Sequence, residues 1–216
     1  MSGHATNLAD LRSEYRRASL DCSGVDADPL RQFATWLDEA IRSATLEPTA
    51  MTLATAAADG RPAARTVLLK AADARGFVFY TSYDSAKGTD LAANPRAALV
   101  FFWAELERQV RIEGHVEKVA AADADAYFAS RPRQSRLSAL ASPQSAIVPD
   151  RGWLEARVAE FARQYPGDDV PRPTHWGGYR VVPQALEFWQ GRASRLHDRL
   201  VWSRQGDRWT IGRLAP

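Results

Sequence analysis

The sequence predicts a mainly β protein with flanking helices, of the α+β class, whose strands form an antiparallel barrel. Segments with strand character recur between Met51 and Val119 and again after the proline-rich loop at residues 168–178. The pair Asp59-Gly60 joins the first two segments as a tight hairpin, because glycine adopts the positive φ that such turns need. The helical segments connect strands, and neither GxGxxG nor GxxxxGK[ST] occurs, which disfavours a βαβ dinucleotide fold.

The first clear element is a helix that begins at Pro29, with Asp28 as its N-cap and apolar residues repeating at a period near 3.6. Among the strands that follow, SAKGTDLAANP forms a short helix that Pro95 ends. Strands are predicted from MTLATAA, RPAARTVLLKAA, GFVFYTS, RAALVFFW and RQVRIEGHVEKV, at residues 51–57, 61–72, 76–82, 96–103 and 108–119.

The second half of the chain opens with two helices, each of which ends before a proline. AAADADAYFASRP ends before Pro132, and the amphipathic RGWLEARVAEFARQYP ends before Pro166. Strands are then predicted from GYRVVP, ALEFWQG, SRLHDRLVWSR and DRWTIGRLAP. No repeat or linker divides the chain, so we expect residues 28–216 to form a single domain and residues 1–27 to form a flexible N-terminal segment.

The bulk properties exclude several classes of function. A net charge of only +2 disfavours a general nucleic-acid coat, which neutralises many phosphates. The single Cys22 permits no intrachain disulfide, and the four histidines lack the spacing of metal ligands, so no metal is expected. Neither a signal peptide nor an apolar run of membrane-spanning length is found, which predicts a cytoplasmic protein without membrane partners.

Two cations stand at the ends of RTVLLK and point to opposite faces of the predicted strand. Because successive side chains of a strand point to opposite faces, one face carries Arg65, Val67 and Leu69 and the other carries Thr66, Leu68 and Lys70. Either both cations extend from the strand ends into water, or they bind two different anions on two sides of one sheet.

Lys87 and Gln109 are candidate ligand contacts. Lys87 lies at the start of the short helix, where free backbone N–H groups and a cation can bind a phosphate together. Gln109 lies between two arginines of an apolar strand, and its amide can both donate to and accept from a planar heterocycle. Lys87 alone also fits an ordinary surface position, and Gln109 fits a solvent-facing edge strand equally well.

The segment YFASRPRQS places Tyr127 and Arg131 four residues apart, so we predict that they share one helical face, with Ser135 just beyond the proline break. With Lys70 these residues would form a cage for a phosphate dianion. By itself, however, the segment favours a surface pair of tyrosine and arginine.

A row of basic residues is predicted near the C-terminus. If residues 195–201 form a strand, Arg195, His197 and Arg199 share one face and Leu196 lies on the other. Alternation alone leaves open whether this row faces a ligand or water.

Ten segments, in order along the chain, resemble the pyridoxamine/pyridoxine 5′-phosphate oxidase family, and the match as a whole runs from LRSEY near residue 11 to Pro216. They are RTVLLK, FYTS, SAKG, ERQVRIEG, YFASRPRQS, ASPQS, HWGGYRV, EFWQG, RLHDR and RLAP. The resemblance implies a homodimeric, antiparallel split β-barrel that binds FMN at the subunit interface and has a C-terminal dimerisation region. It also implies oxidation of pyridoxamine and pyridoxine 5′-phosphates to pyridoxal 5′-phosphate, with oxygen reduced to hydrogen peroxide.

The resemblance further implies a set of FMN contacts. Arg199 is expected beside flavin N1 and O2, where reduced flavin gathers negative charge. The complete set is Arg65, Thr66, Val67, Leu68, Leu69, Lys70, Tyr80, Thr81, Lys87, Gln109, Gln144, Ser145, Trp189 and Arg199.

The substrate contacts implied by the resemblance fall into three groups: a cover made by Arg12, Ser13, Glu14 and Tyr15, a phosphate cage made by Lys70, Tyr127, Arg131 and Ser135, and a segment against the pyridine made by Arg195, Leu196 and His197. Arg195 and His197 are the catalytic candidates. We expect them to position the amine or alcohol while a hydride passes from C4′ to flavin N5.

Two segments depart from the family pattern. SAKG replaces the usual SRKG, so Ala86 removes one arginine contact to FMN, worth about 1.5–3 kcal/mol unless another residue substitutes. After the RPR motif, SRLSAL replaces SQIGAW at Arg136, Ser138 and Leu140, and this changes a segment that we expect to be a loop.

Three other functions remain open from the sequence. A related flavin oxidase acting on a phenazine precursor would not need the phosphate cage. A non-catalytic carrier or sensor of FMN or pyridoxal 5′-phosphate would not need the basic row at Arg195, His197 and Arg199. A nucleic-acid binder ranks last, because only scattered arginines favour it.

Overall fold

The computed structural model describes residues 14–216 and confirms the predicted mainly β fold with flanking helices. Strand β1 pairs antiparallel with β2 and β5, β4 pairs antiparallel with β3 and β7, and β8 pairs antiparallel with β9. The strands are β1 (Ala50–Ala56), β2 (Pro62–Leu68), β3 (Ala71–Asp73), β4 (Gly76–Ser82), β5 (Arg96–Trp103), β6 (Arg108–Lys118), β7 (Trp176–Gln190), β8 (Asp198–Gln205) and β9 (Arg208–Arg213). The α-helices are α1 (Pro29–Arg42), α2 (Ala86–Ala93), α3 (Ala121–Ser130), α4 (Arg133–Ala141) and α5 (Arg151–Gln164).

The described residues form two compact units. The first unit contains residues 14–48, 102–110 and 187–216, and the second contains residues 49–101 and 111–186. The single domain expected for residues 28–216 stays a prediction.

The second unit is built on a sheet in the order β2-β1-β5-β6-β7-β4-β3. Its first hairpin pairs Met51 with Val67, and the predicted turn is present, with Gly60 at a φ of 84°. Strands β4 and β5 have the bounds that the sequence predicts. The interior of this unit includes the fully buried side chains of Leu53, Phe77, Phe79, Leu99 and Val181.

Helix α4 corrects the expectation of a loop after the RPR motif. Pro132 is its N-cap residue, and Leu137 and Ala141, four residues apart, are the buried positions of the helix. Leu137 packs in an apolar cluster with Phe128 and Trp176. Burial of this spaced apolar pair stabilises a helix that the sequence pattern alone does not indicate.

The structure also corrects the predicted helical pairing of Tyr127 with Arg131. Helix α3 ends at Ser130, and Arg131 has extended backbone, with φ −75° and ψ 148°. The residue before a proline is restricted to this region because the proline ring clashes with a helical conformation. The two side chains therefore do not share a helical face.

The first unit contains α1 and the hairpin of β8 and β9. Asp28 caps α1 by accepting a hydrogen bond from the Leu30 backbone, as predicted. The ring of Trp36 on α1 packs edge-on against Phe188, which packs against Trp202 of β8. No helix among residues 14–216 combines the length and the apolar character needed to cross a bilayer.

Strand β8 begins at Asp198, so the prediction of a strand through residues 195–201 is wrong at its start. Ala193–Arg195 is a short 3-10 helix in which Ser194 and Arg195 have φ values of 56° and 61°. A strand requires negative φ. Arg195, His197 and Arg199 therefore do not form one strand face, and each has its own surroundings.

Candidate active site

A polar cluster in the second unit surrounds Lys87, one residue into α2. The Lys87 side chain is buried, and its Nζ lies 3.1 Å from Thr81 Oγ1, 3.3 Å from Ser85 Oγ and 3.3 Å from Gln144 Oε1. Gln144 also accepts hydrogen bonds from the Thr81 hydroxyl and the Ser82 backbone. One strand residue (Thr81), the N-cap residue of α2 (Ser85) and one loop residue (Gln144) therefore converge on a single cation.

Arg65 extends the same cluster from β2. Its Nη1 donates to Thr55 Oγ1 at 2.7 Å, and its Nη2 lies 3.7 Å from an Asp90 carboxylate oxygen. Burial, and secondly the charge of Arg65, lowers the pKa of Lys87. Within residues 14–216 Lys87 has no salt-bridge partner, so the cluster suits an added anion.

These residues fit the phosphate of FMN. A nearly buried ammonium surrounded by neutral oxygen ligands, with a guanidinium close by, is a favourable environment for a phosphate dianion. The fit concerns Arg65, Thr81, Lys87 and Gln144, all of which the resemblance assigns to FMN.

A cavity of about 540 Å³ adjoins this cluster in the second unit. Gln144 and Ser145 contribute to its wall, as does Ala86 at the start of α2. Ser145 has a φ of 74°, a left-handed conformation within the turn that brings the two residues to the cavity.

The remaining FMN candidates on β2 follow the predicted alternation. Thr66 and Leu68 are exposed, Val67 is half-buried, and Leu69, just after the strand, is buried. Lys70 is exposed, and its backbone N–H donates to Val78 O at 2.8 Å.

A second cavity, of about 280 Å³, contains Arg131 and Ser135 in its wall together with Gln134, Ser138 and Trp176. The guanidinium carbon of Arg131 lies 4.8 Å from the Trp176 ring centroid. Its Nη1 is buried and has no hydrogen-bond partner among the described residues, and burial lowers the pKa of Arg131. An unpaired buried donor is costly, so this guanidinium is suited to an incoming anion.

Tyr127 and Lys70 are not part of this cavity wall. The Tyr127 ring stacks on Tyr80, with centroids 3.9 Å apart and planes 19° apart, and burial raises the pKa of both phenols. Of the four predicted cage residues, the structure brings Arg131 and Ser135 to one cavity.

Sequence reasoning missed Trp176 as a contributor to this cavity. Two glycines follow it, and a Cβ on Gly178 would lie 2.8 Å from the Tyr80 ring. The paired glycines of HWGG are the sequence signal for aromatic packing around Trp176, because glycine permits an aromatic ring to lie directly against the backbone.

In the first unit, three predicted site residues form one aromatic cluster. Trp189 and His197 have ring centroids 4.7 Å apart, and Tyr15 lies edge-on to both, at 5.6 Å and 5.8 Å. A Cβ on Gly191 would lie 2.6 Å from Tyr15 Cγ, so glycine is needed at this contact. The cluster joins the expected cover, cofactor and substrate segments.

The His197 ring has a defined hydrogen-bonding direction. Its Nδ1 accepts from the Arg192 backbone N–H at 3.1 Å, so the proton of the neutral ring lies on Nε2. Asp198 holds this loop by accepting from Arg192 Nη1, Arg213 Nη1 and the Leu20 backbone. Beside His197, Arg195 and Leu196 are exposed.

Arg199 is paired within its own unit. Its Nε donates to Glu187 Oε1 at 2.8 Å, and its Nη1 donates to Ala215 O at 2.8 Å. The hydrogen bond to Glu187 raises the pKa of Arg199. Among the other candidates of this unit, Gln109 is half-buried on β6, Glu14 pairs with Arg16, and Arg12 and Ser13 lie outside the described residues.

Comparison with protein families identifies two matching regions. A model described as pyridoxamine 5′-phosphate oxidase matches residues 37–165. A model described as the pyridoxine 5′-phosphate oxidase C-terminal dimerisation region matches residues 176–216.

Curated relatives match over almost the whole chain. The pyridoxine/pyridoxamine 5′-phosphate oxidase of Burkholderia multivorans is 60% identical, with 98% of this chain and 100% of that protein covered. The oxidase of the same name from Burkholderia lata is 58% identical with the same coverage.

Two solved structures are similar. PhzG from Burkholderia lata 383, in complex with tetrahydrophenazine-1-carboxylic acid, has a TM-score of 0.85 and 32% identity over 90% of this chain and 95% of that chain. An FMN-binding protein related to pyridoxamine 5′-phosphate oxidase, from Nostoc punctiforme, has a TM-score of 0.71 and 18% identity over 89% of this chain and 100% of that chain. The chain therefore has the split-barrel fold, as the resemblance implies.

Proposed function

The chain belongs to the pyridoxamine 5′-phosphate oxidase family, and from this membership we propose that it oxidises pyridoxamine and pyridoxine 5′-phosphates to pyridoxal 5′-phosphate. In this reaction FMN would be the bound oxidant, and oxygen would be the final acceptor, released as hydrogen peroxide. The observation that carries this proposal is the buried, unpaired Nη1 of Arg131 beside Ser135, because a phosphorylated substrate supplies the anion that this donor lacks.

When bound, FMN supplies the redox chemistry, and the protein supplies orientation and electrostatics. Lys87, with Arg65 and Gln144 nearby, holds the FMN phosphate. We assign the remaining FMN contacts as the resemblance implies them.

The first unit provides the groups that orient the reacting end of the substrate. His197 presents an Nε2–H donor, because its Nδ1 is engaged with the Arg192 backbone. This donor positions the ring substituents of the substrate, while the exposed Arg195 lies over its amine or alcohol. Both groups act by positioning the substrate, and neither is assigned the role of a strong base.

Arg195→Leu tests this assignment. We expect kcat to fall at least tenfold, with FMN affinity and the free energy of unfolding nearly unchanged, because the exposed Arg195 anchors no other element. The measurements are steady-state kinetics, flavin titration and thermal unfolding. Unchanged kcat would remove Arg195 from the set of catalytic residues.

A phenazine precursor is the second candidate substrate, because PhzG is 32% identical and binds a tetrahydrophenazine. The two Burkholderia lata proteins favour the phosphorylated substrates, since the pyridoxine/pyridoxamine 5′-phosphate oxidase is 58% identical to this chain and PhzG is 32% identical.

The active form is a cytoplasmic homodimer in which the two protomers share the FMN sites. The match of residues 176–216 to the C-terminal dimerisation region supports the dimer. Equilibrium sedimentation of the FMN-bound protein tests the dimer, and a monomer at micromolar concentration would contradict it.

The decisive experiment is a substrate assay on purified protein reconstituted with FMN. We expect peroxide release with pyridoxamine and pyridoxine 5′-phosphates, and almost none with unphosphorylated pyridoxamine or tetrahydrophenazine-1-carboxylate. Protein that binds no FMN, or that oxidises the phenazine compound faster than the phosphorylated substrates, would overturn the proposal.

A further inference from the structure

The cavity beside Lys87 lacks one cation that is usual in the family, because position 86 is alanine here and arginine in the family's SRKG motif. Ala86, the first residue of α2, occupies the place of the usual arginine and contributes a methyl group to the cavity wall. A flavin phosphate in this cavity would therefore have one cationic contact fewer, unless the chain supplies it from elsewhere.

Arg157 on α5 lines the same cavity of about 540 Å³. Its Nε donates to Ala141 O at 2.9 Å, and its guanidinium carbon lies 5.0 Å from the Trp153 ring centroid and 5.8 Å from that of Phe161. The carbonyl and the two rings fix the guanidinium in place and engage only one of its nitrogens.

No carboxylate forms a salt bridge with Arg157 anywhere in residues 14–216, and no other described hydrogen bond engages its side chain. Arg151, one helical turn and a half earlier on α5, differs because it pairs with Glu155 at 2.7 Å. The guanidinium of Arg157 therefore has no salt-bridge partner among the described residues, although its position is fixed.

We propose that Arg157 is an FMN-binding residue of this chain and supplies, from α5, the cationic phosphate contact that Ala86 cannot make. The Lys87 cluster reaches the cavity through Gln144, and Arg157 forms another part of the same wall, so a phosphate there has cations from two elements. The inference rests on the proposed use of FMN and deepens it.

The test is titration of FMN-free protein with FMN, in which the quenching of flavin fluorescence reports binding. We expect Arg157→Ala to raise the dissociation constant about tenfold to a hundredfold, as for loss of one charge-assisted hydrogen bond. Arg163→Ala is the matched control, because Arg163 is an exposed arginine in the last turn of the same helix and does not line the cavity. This control is expected to bind FMN as the native protein does.

A reciprocal substitution distinguishes replacement of a contact from general damage. Ala86→Arg should restore most of the lost affinity in the Arg157→Ala background and add much less to the native chain, because the two cations serve one phosphate. Arg157→Lys, which keeps the charge, should retain most of the affinity. Thermal unfolding of each FMN-free variant confirms that it is folded.

Native affinity in Arg157→Ala would overturn the inference, as would an equal gain from Ala86→Arg in both backgrounds. If Arg157→Ala fails to fold, Arg157→Gln, which keeps a polar side chain but removes the charge, takes its place: a tenfold or larger loss of affinity in the folded variant supports the inference, and native affinity there overturns it. Failure of the native chain to bind FMN is a separate result and overturns the proposed function instead.

Discussion

The cations of the predicted site and its surroundings have different partners in the two units. In the first unit, Arg199 pairs with Glu187, and Arg192 and Arg213 pair with Asp198. In the second unit, Lys87 is surrounded by neutral oxygens, and Arg131 has a buried Nη1 without a partner. Cations with carboxylate partners hold the chain together, whereas those without such partners are available to a ligand.

The physical basis of this difference is the cost of burial. A buried cation without a counter-charge is unfavourable, which is why burial lowers the pKa of both Lys87 and Arg131. A phosphate dianion that binds beside such a group offsets this cost. The comparison therefore predicts that removal of the paired charge of Asp198 lowers stability, and that removal of Arg131 or Lys87 lowers the affinity for a ligand.

Asp198→Ala is expected to have the largest effect. The carboxylate accepts from Arg192, Arg213 and the Leu20 backbone, and loss of these bonds should lower the free energy of unfolding by about 3 kcal/mol. Denaturant unfolding measures this value. The control Glu160→Ala removes an exposed carboxylate from α5 and should change it little.

If Asp198→Ala instead left stability unchanged and weakened only ligand binding, the first unit would not differ from the second in the way proposed.

Arg131→Met is expected to have the second-largest effect. Loss of the charged contact should raise the Michaelis constant for pyridoxamine 5′-phosphate about tenfold to a hundredfold, corresponding to about 1.5–3 kcal/mol. The free energy of unfolding should stay the same or increase, because the variant removes a buried, unpaired donor. Arg163→Met, at an exposed position, is the kinetic control.

A Michaelis constant equal to that of the native chain would show that the unpaired nitrogen does not serve the substrate.

Lys87→Met should weaken FMN binding by about tenfold, with Lys118→Met, at an exposed position, as the control.

The pH dependence of the free energy of unfolding is a sharper readout of the state of Lys87. Because the pKa of Lys87 is lowered in the folded state, the unfolded chain binds more protons between the two pKa values. The free energy of unfolding of FMN-free protein should therefore rise with pH across that window, up to the ordinary lysine value.

This rise should be absent in FMN-free Lys87→Met and reduced in native protein saturated with FMN, because the phosphate stabilises the charged ammonium. Titration by chemical denaturation at several pH values measures it. An identical pH profile in native protein and variant would contradict the buried, unpaired state of Lys87.

Local sequence signals predicted the hairpins, the helix starts and several strand bounds. Asp28-Pro29 predicted the start of α1, and Asp59-Gly60 predicted the first turn. These signals succeed because capping and positive φ depend on residues within one turn of each other. By contrast, α4 was missed, since its buried Leu137 packs against Phe128 and Trp176, which lie outside the segment that forms the helix.

The site was predicted unevenly for the same reason. Alternation placed Arg65 on the correct face of β2, and the resemblance identified Arg131 and Ser135, which do meet at one cavity. Alternation failed for Arg195 and His197, because positive φ at Ser194 and Arg195 turns the chain before β8 begins. A period-two pattern reports faces correctly only where the backbone is extended.

The sequence by itself determined the class of fold, the family, and the residues that carry charge or hydrogen-bonding groups. Only the tertiary structure decided which of these groups are already paired: Glu187 neutralises Arg199, Arg192 orients His197, and Lys87, Arg131 and Arg157 keep capacity for an anion. Partners from distant parts of the chain meet only after folding, and burial then sets the energetic value of each charge. The chemistry of a residue is therefore local, whereas its availability to a ligand is a property of the folded chain.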